Sequence, residues 1–151
     1  MYLVIGTRPD LAFTVLALSQ FASKPTKALM GALKQALRYL IGTRNLKLTH
    51  SRPTTLGIAA PYLAGFADAD YAGDRSDRKS TSGYIFQFAS NTICWRAVKQ
   101  RCTVTSTVEA EYIALSTAAK QHMWLLHALD ELRISIKFLR ISEELVFFKM
   151  Y

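Results

Sequence analysis

Ser106-Thr107-Val108-Glu109 opens the longest periodic run in the chain. A hydroxyl residue followed three positions later by glutamate is the pattern of a capping box. Ser106 caps the first amides of a helix and Glu109 reaches back. Val108, Tyr112, Leu115, Ala119, Met123, Leu126 and Leu129 then recur at helical spacing. The pattern predicts one long helix over residues 107–132. The segments before it carry β signals instead. Leu63–Asp68 reads as a first strand, and Tyr84–Ala89 alternates aromatic and non-aromatic residues. Ser90-Asn91 can turn, and Thr92–Ala97 reads as the returning strand. A three-strand antiparallel meander followed by a long helix makes an α/β unit.

Upstream the period is helical. Pro9 suits the first turn of a helix and Asp10 its positive end. Leu11, Val15, Leu18 and Phe21–Ala22 recur at helical spacing before Lys24-Pro25-Thr26 breaks the pattern. A second helix places Leu29, Leu33, Ala36–Leu37 and Leu40 on one face, and Gly42 is placed to end it. Lys27, Lys34, Arg38 and Arg44 mark its solvent side. Residues 9–42 therefore read as a helical hairpin with a basic outer surface. Residues 45–61, punctuated by Pro53, Gly57 and Pro61, read as a loop.

Charge bears on partners. The 151 residues carry 19 Lys and Arg against 11 Asp and Glu, a net charge of +8. A basic balance favours anionic partners such as nucleic acid. Two cysteines, Cys94 and Cys102, with no Cys/His cluster argue against zinc and against a disulfide framework. They fit a reducing compartment, cytoplasm or nucleus. Arg8 and Asp10 interrupt the first apolar stretch too early for a signal peptide, so the protein is expected to be intracellular and not secreted. No uncharged run approaches the length of a membrane span, and no membrane partner is expected.

The acids carry the chemical interest. Residues 66–74 read FADADYAGD, with acids at Asp68, Asp70 and Asp74. If the long helix packs across the sheet, Glu111 in its first turns can point toward Asp68 at the end of the first strand. Two converging carboxylates suit a hard divalent cation such as magnesium. Two such ions can activate water and stabilise the leaving oxygen in phosphodiester hydrolysis. Equally, Asp68 and Asp70 can flank a turn while Glu111 is a solvated helix acid.

Several ordered motifs resemble one family, the copia-type retrotransposon Pol polyprotein, in its connection and ribonuclease H region. Gly65-Phe66-Ala67-Asp68-Ala69-Asp70-Tyr71-Ala72-Gly73-Asp74 and Asp77-Arg78-Lys79-Ser80-Thr81-Ser82-Gly83-Tyr84 match its acidic strand and following loop. Ile93-Cys94-Trp95-Arg96, Gln100 and Ser106–Leu115 match its continuation, and Gly6–Ala12 and Leu37–Thr43 its upstream motifs. The likeness runs through residues 1–133 in unbroken order. It implies an incomplete ribonuclease H-like fold over residues 62–151, preceded by a helical connection over residues 1–50 that follows the reverse-transcriptase polymerase. Met1 is expected to correspond to an internal position of a polyprotein.

The resemblance implies that Asp68 and Glu111 are the catalytic carboxylates and ligands of Mg2+, two ions in the intact family. Asp70 and Asp74 would shape the site or its turn. Arg75, Arg78 and Lys79, with the hydroxyls of Ser80–Ser82, form a basic loop that can contact backbone phosphates or equally be a solvated turn. The partners implied are an RNA–DNA hybrid, or other nucleic acid, and the rest of the reverse transcriptase. The family's third and fourth carboxylates have no counterpart in the expected motif, because no Asp follows Asp130 and only Glu143 and Glu144 lie beyond Glu131. The chain is therefore expected to be a truncated fragment, inactive alone. The alternatives are a non-catalytic nucleic-acid-binding module and an inert pseudogene product.

The missing partners of the sheet would leave the acidic strand an unpaired edge, with at best one strand in Leu145–Tyr151. That edge and the apolar ELVFFKM segment predict self-association. His50, His122 and His127 suit surface or helix-packing positions. Cys94 reads as a small apolar strand residue. Tyr84, Phe86 and Phe88 share one strand face, where they can fill a core or stack on bases.

Overall fold

The computed structural model describes residues 2–51, 62–74, 76–136 and 139–142. The chain divides into two compact units, Met1–Leu48 and Thr49–Tyr151. The loop expected around Pro53, Gly57 and Pro61 and the strand expected in Leu145–Tyr151 lie outside the described residues.

In the first unit, α1 (Tyr2–Gly6) leads through a 3-10 turn (Pro9–Leu11) into α2 (Ala12–Ser19), and α3 (Lys27–Gly42) follows. Thr26 is extended, and its Oγ1 accepts the Leu29 amide at 3.2 Å, which caps α3 after the Lys24-Pro25 break. The hairpin of α2 and α3 matches the expected one. Its clamp does not follow from helical spacing. The Arg8 guanidinium donates to Asp10 at 3.0 Å and 2.7 Å, and to the Thr43 hydroxyl at 2.7 Å. The Tyr39 hydroxyl donates to the same Asp10 carboxylate at 2.9 Å. Arg8 is only 7% exposed. Burial pulls the Asp10 carboxyl upward, but the hydrogen bonds from Arg8 and Tyr39 with the Arg8 charge outweigh it, and the net shift is downward.

This clamp explains a correction on α3. Leu33 and Leu37 were expected on its apolar face, yet they are 40% and 50% exposed. The half-buried side is Leu29, Ala36, Tyr39 and Leu40. Tyr39 and Thr43 are bound to the Arg8–Asp10 pair, and they set which face turns inward.

The second unit holds β1 (Leu63–Asp70), β2 (Thr81–Phe88), β3 (Asn91–Lys99), α4 (Thr107–Glu131) and β4 (Leu139–Ser142). The strand order is β3-β2-β1-β4. β1, β2 and β3 form the expected antiparallel meander, and β4 runs parallel to β1. The β2–β3 hairpin turns at Ala89 and Ser90, both at positive φ (48° and 66°), one residue before the expected turn. Two positive φ values match the twist of a two-residue hairpin. β1 is therefore an inner strand, which corrects the unpaired edge expected for it. The chain returns because α4 ends in a Schellman motif. Ile134 donates to the Leu129 carbonyl at 2.9 Å and Arg133 to Asp130 at 2.8 Å, with Arg133 at φ 56°.

Strand alternation explains the core. Leu63, Gly65 and Ala67 on β1 sit opposite Phe88, Phe86 and Tyr84 on β2, and all share the face toward α4. Phe86 is fully buried. A Cβ at Gly65 would lie 2.5 Å from the Phe86 ring, so the glycine provides the ring's bed. The aromatic face fills the core, which settles the choice left open for Tyr84, Phe86 and Phe88. Cys94 packs at its margin, as expected.

The buried stripe of α4 is Ala110, Ala114, Ala118, His122, Leu125 and Leu129. Val108, Tyr112 and Met123, expected on that face, are exposed. The three alanines let the helix lie close to a sheet whose aromatic rings already supply the volume. His122 is buried beside Phe86, ring centroids 5.7 Å apart, and neither ring nitrogen has a hydrogen-bond partner. Burial pushes its pKa below the ordinary 6.5. The folded state thus holds a neutral imidazole that the unfolded chain protonates below about pH 6.5. Its contribution is intact above that pH and is lost as pH falls. The expected result is a second unit that loses up to about 1.4 kcal/mol per pH unit below pH 6.5 through this group. His122→Leu removes that component in urea titrations repeated across pH 5–8, and is neutral or stabilising at pH 8 because it removes a buried unpaired donor.

Among the described residues no helix is long and apolar enough to cross a membrane.

Candidate functional site

Asp68 lies two residues from the end of β1, half-buried, opposite Gly83 of β2. Its Oδ1 accepts the Ala69 amide at 2.9 Å. By alternation it belongs to the residue set of Ala64 and Phe66, not to the core set. The described pairing with β4 covers Leu63–Phe66 and stops two residues short of it.

Glu111 lies half-buried in the second turn of α4. It sits on the flank of the buried stripe, one residue after Ala110 and three before Ala114. The start of α4 is fixed as the sequence predicts. Ser106 Oγ accepts the Glu109 amide at 3.1 Å. Glu109 reaches back one residue further than in the simple capping box, accepting from the Thr105 amide at 2.9 Å. Glu109 is thereby committed to the cap.

Gln100 joins the two elements. It is 5% exposed, and its Nε2 donates to Ser82 Oγ at 2.8 Å and to the Ala110 carbonyl at 3.0 Å. Its backbone amide donates to the Ser80 carbonyl at 2.8 Å. Ser82 is the register partner of Ala69, the neighbour of Asp68, and Ala110 is the neighbour of Glu111. One buried side chain thus ties β2, at the register partner of Ala69, to the helix backbone beside Glu111. No periodicity marks Gln100. The signal for it was its place in an ordered motif, without a role attached.

The remaining candidates hold the loop between β1 and β2. The Asp70 carboxylate lies against Gly73, where a Cβ would collide with it, so Asp70 is turned into the turn that follows β1. Asp74 accepts from the Ser76 amide at 2.8 Å and hydroxyl at 2.6 Å, and it pairs with Lys99. Lys99 also reaches Asp77 at 2.9 Å. The Lys99 hydrogen bond, reinforced by Ser76, holds the Asp74 carboxyl well below the usual carboxylate range. Arg78 is exposed at φ 56°, Lys79 is half-buried, and Arg75 lies outside the described residues. The sequence places Ser80, Thr81 and Ser82 in a basic, hydroxyl-rich loop, in contact with phosphate or simply solvated. They are buried instead: Ser80 Oγ accepts the Ala72 amide at 3.0 Å and Ser82 accepts Gln100. The Ser80 and Ser82 hydroxyls knit the sheet and its turn, and Arg78 is the basic side chain described as exposed in that loop.

Carboxylate oxygens are what a hard cation such as Mg2+ takes, through one or two protein ligands with water completing the shell. Asp68 and Glu111 fit that requirement in kind. Among the described residues no group of three or more His, Cys, Asp or Glu gathers, and Glu143 and Glu144 lie outside them.

Fold and site together define an α/β protein with a sheet, a long helix across one face and an acid on each. The chain belongs to the retrovirus-related Pol polyprotein family of copia-type transposons. It is 42% identical over 137 residues to the retrovirus-related Pol polyprotein from transposon TNT 1-94 of Nicotiana tabacum, covering 91% of this chain and 10% of that one. It is 39% identical over 130 residues to the Pol polyprotein from transposon RE1 of Arabidopsis thaliana, covering 86% of this chain and 8% of that one. It thus spans about a tenth of the polyproteins' length. It is also 46% identical over 125 residues to the secreted RxLR effector protein 161 of Plasmopara viticola, covering 83% of this chain and 84% of that protein. No family model matches the chain, and no solved structure matches it significantly.

Proposed function

We propose that the second unit is a ribonuclease H-like segment of a copia-type Pol polyprotein, acting on the RNA strand of an RNA–DNA hybrid, with Asp68 and Glu111 as ligands of a divalent cation. One observation supports this above others. An antiparallel meander, a long helix and a strand parallel to the first bring an acid at the end of β1 and an acid at the start of α4 onto two packed elements. A bound Mg2+ would supply an activated water and charge stabilisation at the scissile phosphate. The chain's own residues would hold and orient. Asp68 and Glu111 supply anionic oxygens, and Gln100 ties the helix backbone beside Glu111 to β2. Arg78 and Lys79 offer charge to a phosphate backbone read by shape and by its 2′-hydroxyls.

The test is cleavage of a labelled RNA–DNA hybrid with and without Mg2+. Magnesium-dependent cleavage that drops at least about 100-fold in Asp68→Asn, with an unchanged melting curve, is the expected result for the unit supplied with its remaining acids. Cleavage that survives the substitution would overturn the assignment of Asp68.

A second reading is a non-catalytic nucleic-acid-binding module. It is favoured by the net charge of +8 and by the two-acid donor set. Hybrid binding that weakens steeply with salt, without cleavage and unaffected by Asp68→Asn, would select it.

A further inference from the structure

We infer that Gln100 is a positioning residue, setting where Glu111 stands relative to Asp68. This rests on the two-carboxylate reading of the site and adds to it the device that fixes its geometry.

The argument begins with donor chemistry. The Ala110 carbonyl is an acceptor only, so the atom of Gln100 that reaches it at 3.0 Å is the donating Nε2. The same nitrogen gives its second proton to Ser82 Oγ at 2.8 Å. Both donors of one carboxamide are spent, one on the sheet and one on the helix. The bonds are buried, where a polar link is strong and an unmade one costly.

The geometry then fixes the consequence. An intact helix already uses its carbonyls, so a side chain that bonds the carbonyl of Ala110 adds an external tie in the first turns of α4. Glu111 is the next residue. At the other end, Ser82 is in register with Ala69, the next residue to Asp68. The Gln100 backbone is itself held, its amide bonded to the Ser80 carbonyl at 2.8 Å. The side chain therefore acts as a strut of set length between α4 and β2, the strand paired with the acid-bearing β1. Ala110 and Ala114 present only methyl groups to the sheet there, so packing alone resists sliding of the helix weakly.

Three substitutions in the full chain test this. Gln100→Met keeps length and removes both donors. Ser82→Ala removes only the sheet end and guards against misfolding of the first. Glu111→Gln removes the charge that reports on Asp68. Carboxyl 13C shifts recorded at one pH read the pair directly. Glu111→Gln should move the Asp68 carboxyl signal in the wild-type background. That displacement should fall by at least about half in Gln100→Met and in Ser82→Ala, while circular dichroism shows both variants folded. A displacement of unchanged size in both variants, or none in the wild type, overturns the inference. Titration with Mn2+ followed by electron paramagnetic resonance separates the cation reading. Binding to the wild type is expected to weaken about 10-fold or more in Gln100→Met. Absence of Mn2+ binding by the wild type, with the carboxyl displacement behaving as expected, overturns the cation reading and leaves the strut intact.

Discussion

Arg8→Met is expected to destabilise the first unit by about 3 kcal/mol. The substitution removes a guanidinium that makes three hydrogen bonds to Asp10 and reaches both the carbonyl and hydroxyl of Thr43. It leaves Asp10 half-buried with the Tyr39 hydroxyl as its remaining side-chain donor. A charge kept from water without its partner is the costly result. The unit has little else to spend, because no residue of α3 is buried and the buried apolar residues of the unit are Leu11 and Ala12. Arg8→Lys restores charge but not the planar fork, and is expected to recover less than half of the loss. Tyr39→Phe removes one bond to a charged acceptor and is expected to cost about 1.5 kcal/mol. Far-UV circular dichroism in urea measures all three. Trp95 and Trp124 both lie in the second unit, so fluorescence follows that unit separately. The pair also has a pH signature. The Asp10 carboxyl is lowered in the fold, so its contribution is complete above the unfolded value near 4 and disappears as pH falls through the folded one. A shift below about 0.5 kcal/mol for Arg8→Met would show that the clamp is ornamental.

The sequence made some of this visible, and the physics explains which parts. The long helix was legible because its cap is local: Ser106, Glu109 and Thr105 lie within five residues, and local hydrogen bonds leave local patterns. The meander was legible because Tyr84, Phe86 and Phe88 keep a period of two. The buried face of α4 was not. Large side chains at helical spacing pointed to Val108, Tyr112 and Met123, whereas the packing uses Ala110, Ala114 and Ala118. Small residues win wherever the opposing sheet brings the bulk, and periodicity weighted by size is blind to that. β4 was missed as a partner of β1 because its pairing is non-local and parallel, and its apolar/polar alternation, Leu139-Arg140-Ile141-Ser142, runs for only four residues. The acids were legible as an ordered motif. The ties that position them, Gln100 to Ser82 and Ala110, span 18 and 10 residues and belong to no short-range rule. The Arg8 clamp joins two motifs 35 residues apart for the same reason.

Phe86→Ala is expected to cost the second unit about 3–5 kcal/mol, enough to unfold much of it at room temperature. The ring is fully buried among Leu63, Ala67, Tyr84, Ala118 and Leu125, and it stands over Gly65. Alanine on α4 and glycine on β1 both depend on that ring for volume, so neither can close the cavity. The reverse change tests the same fit. Gly65→Ala puts a methyl group where the edge of the fully buried ring already lies. It is expected to cost about 1–3 kcal/mol. The two positions should then fail to add. Phe86→Leu shortens the side chain over Gly65, so Gly65→Ala should be tolerated better in that background by about 1 kcal/mol or more. Urea unfolding followed by the fluorescence of Trp95 and Trp124 gives the four stabilities of the cycle. Strict additivity would mean that Gly65 is glycine for a reason other than the ring, and the close approach of β1 to Phe86 would lose its role in fixing the sheet that carries Asp68.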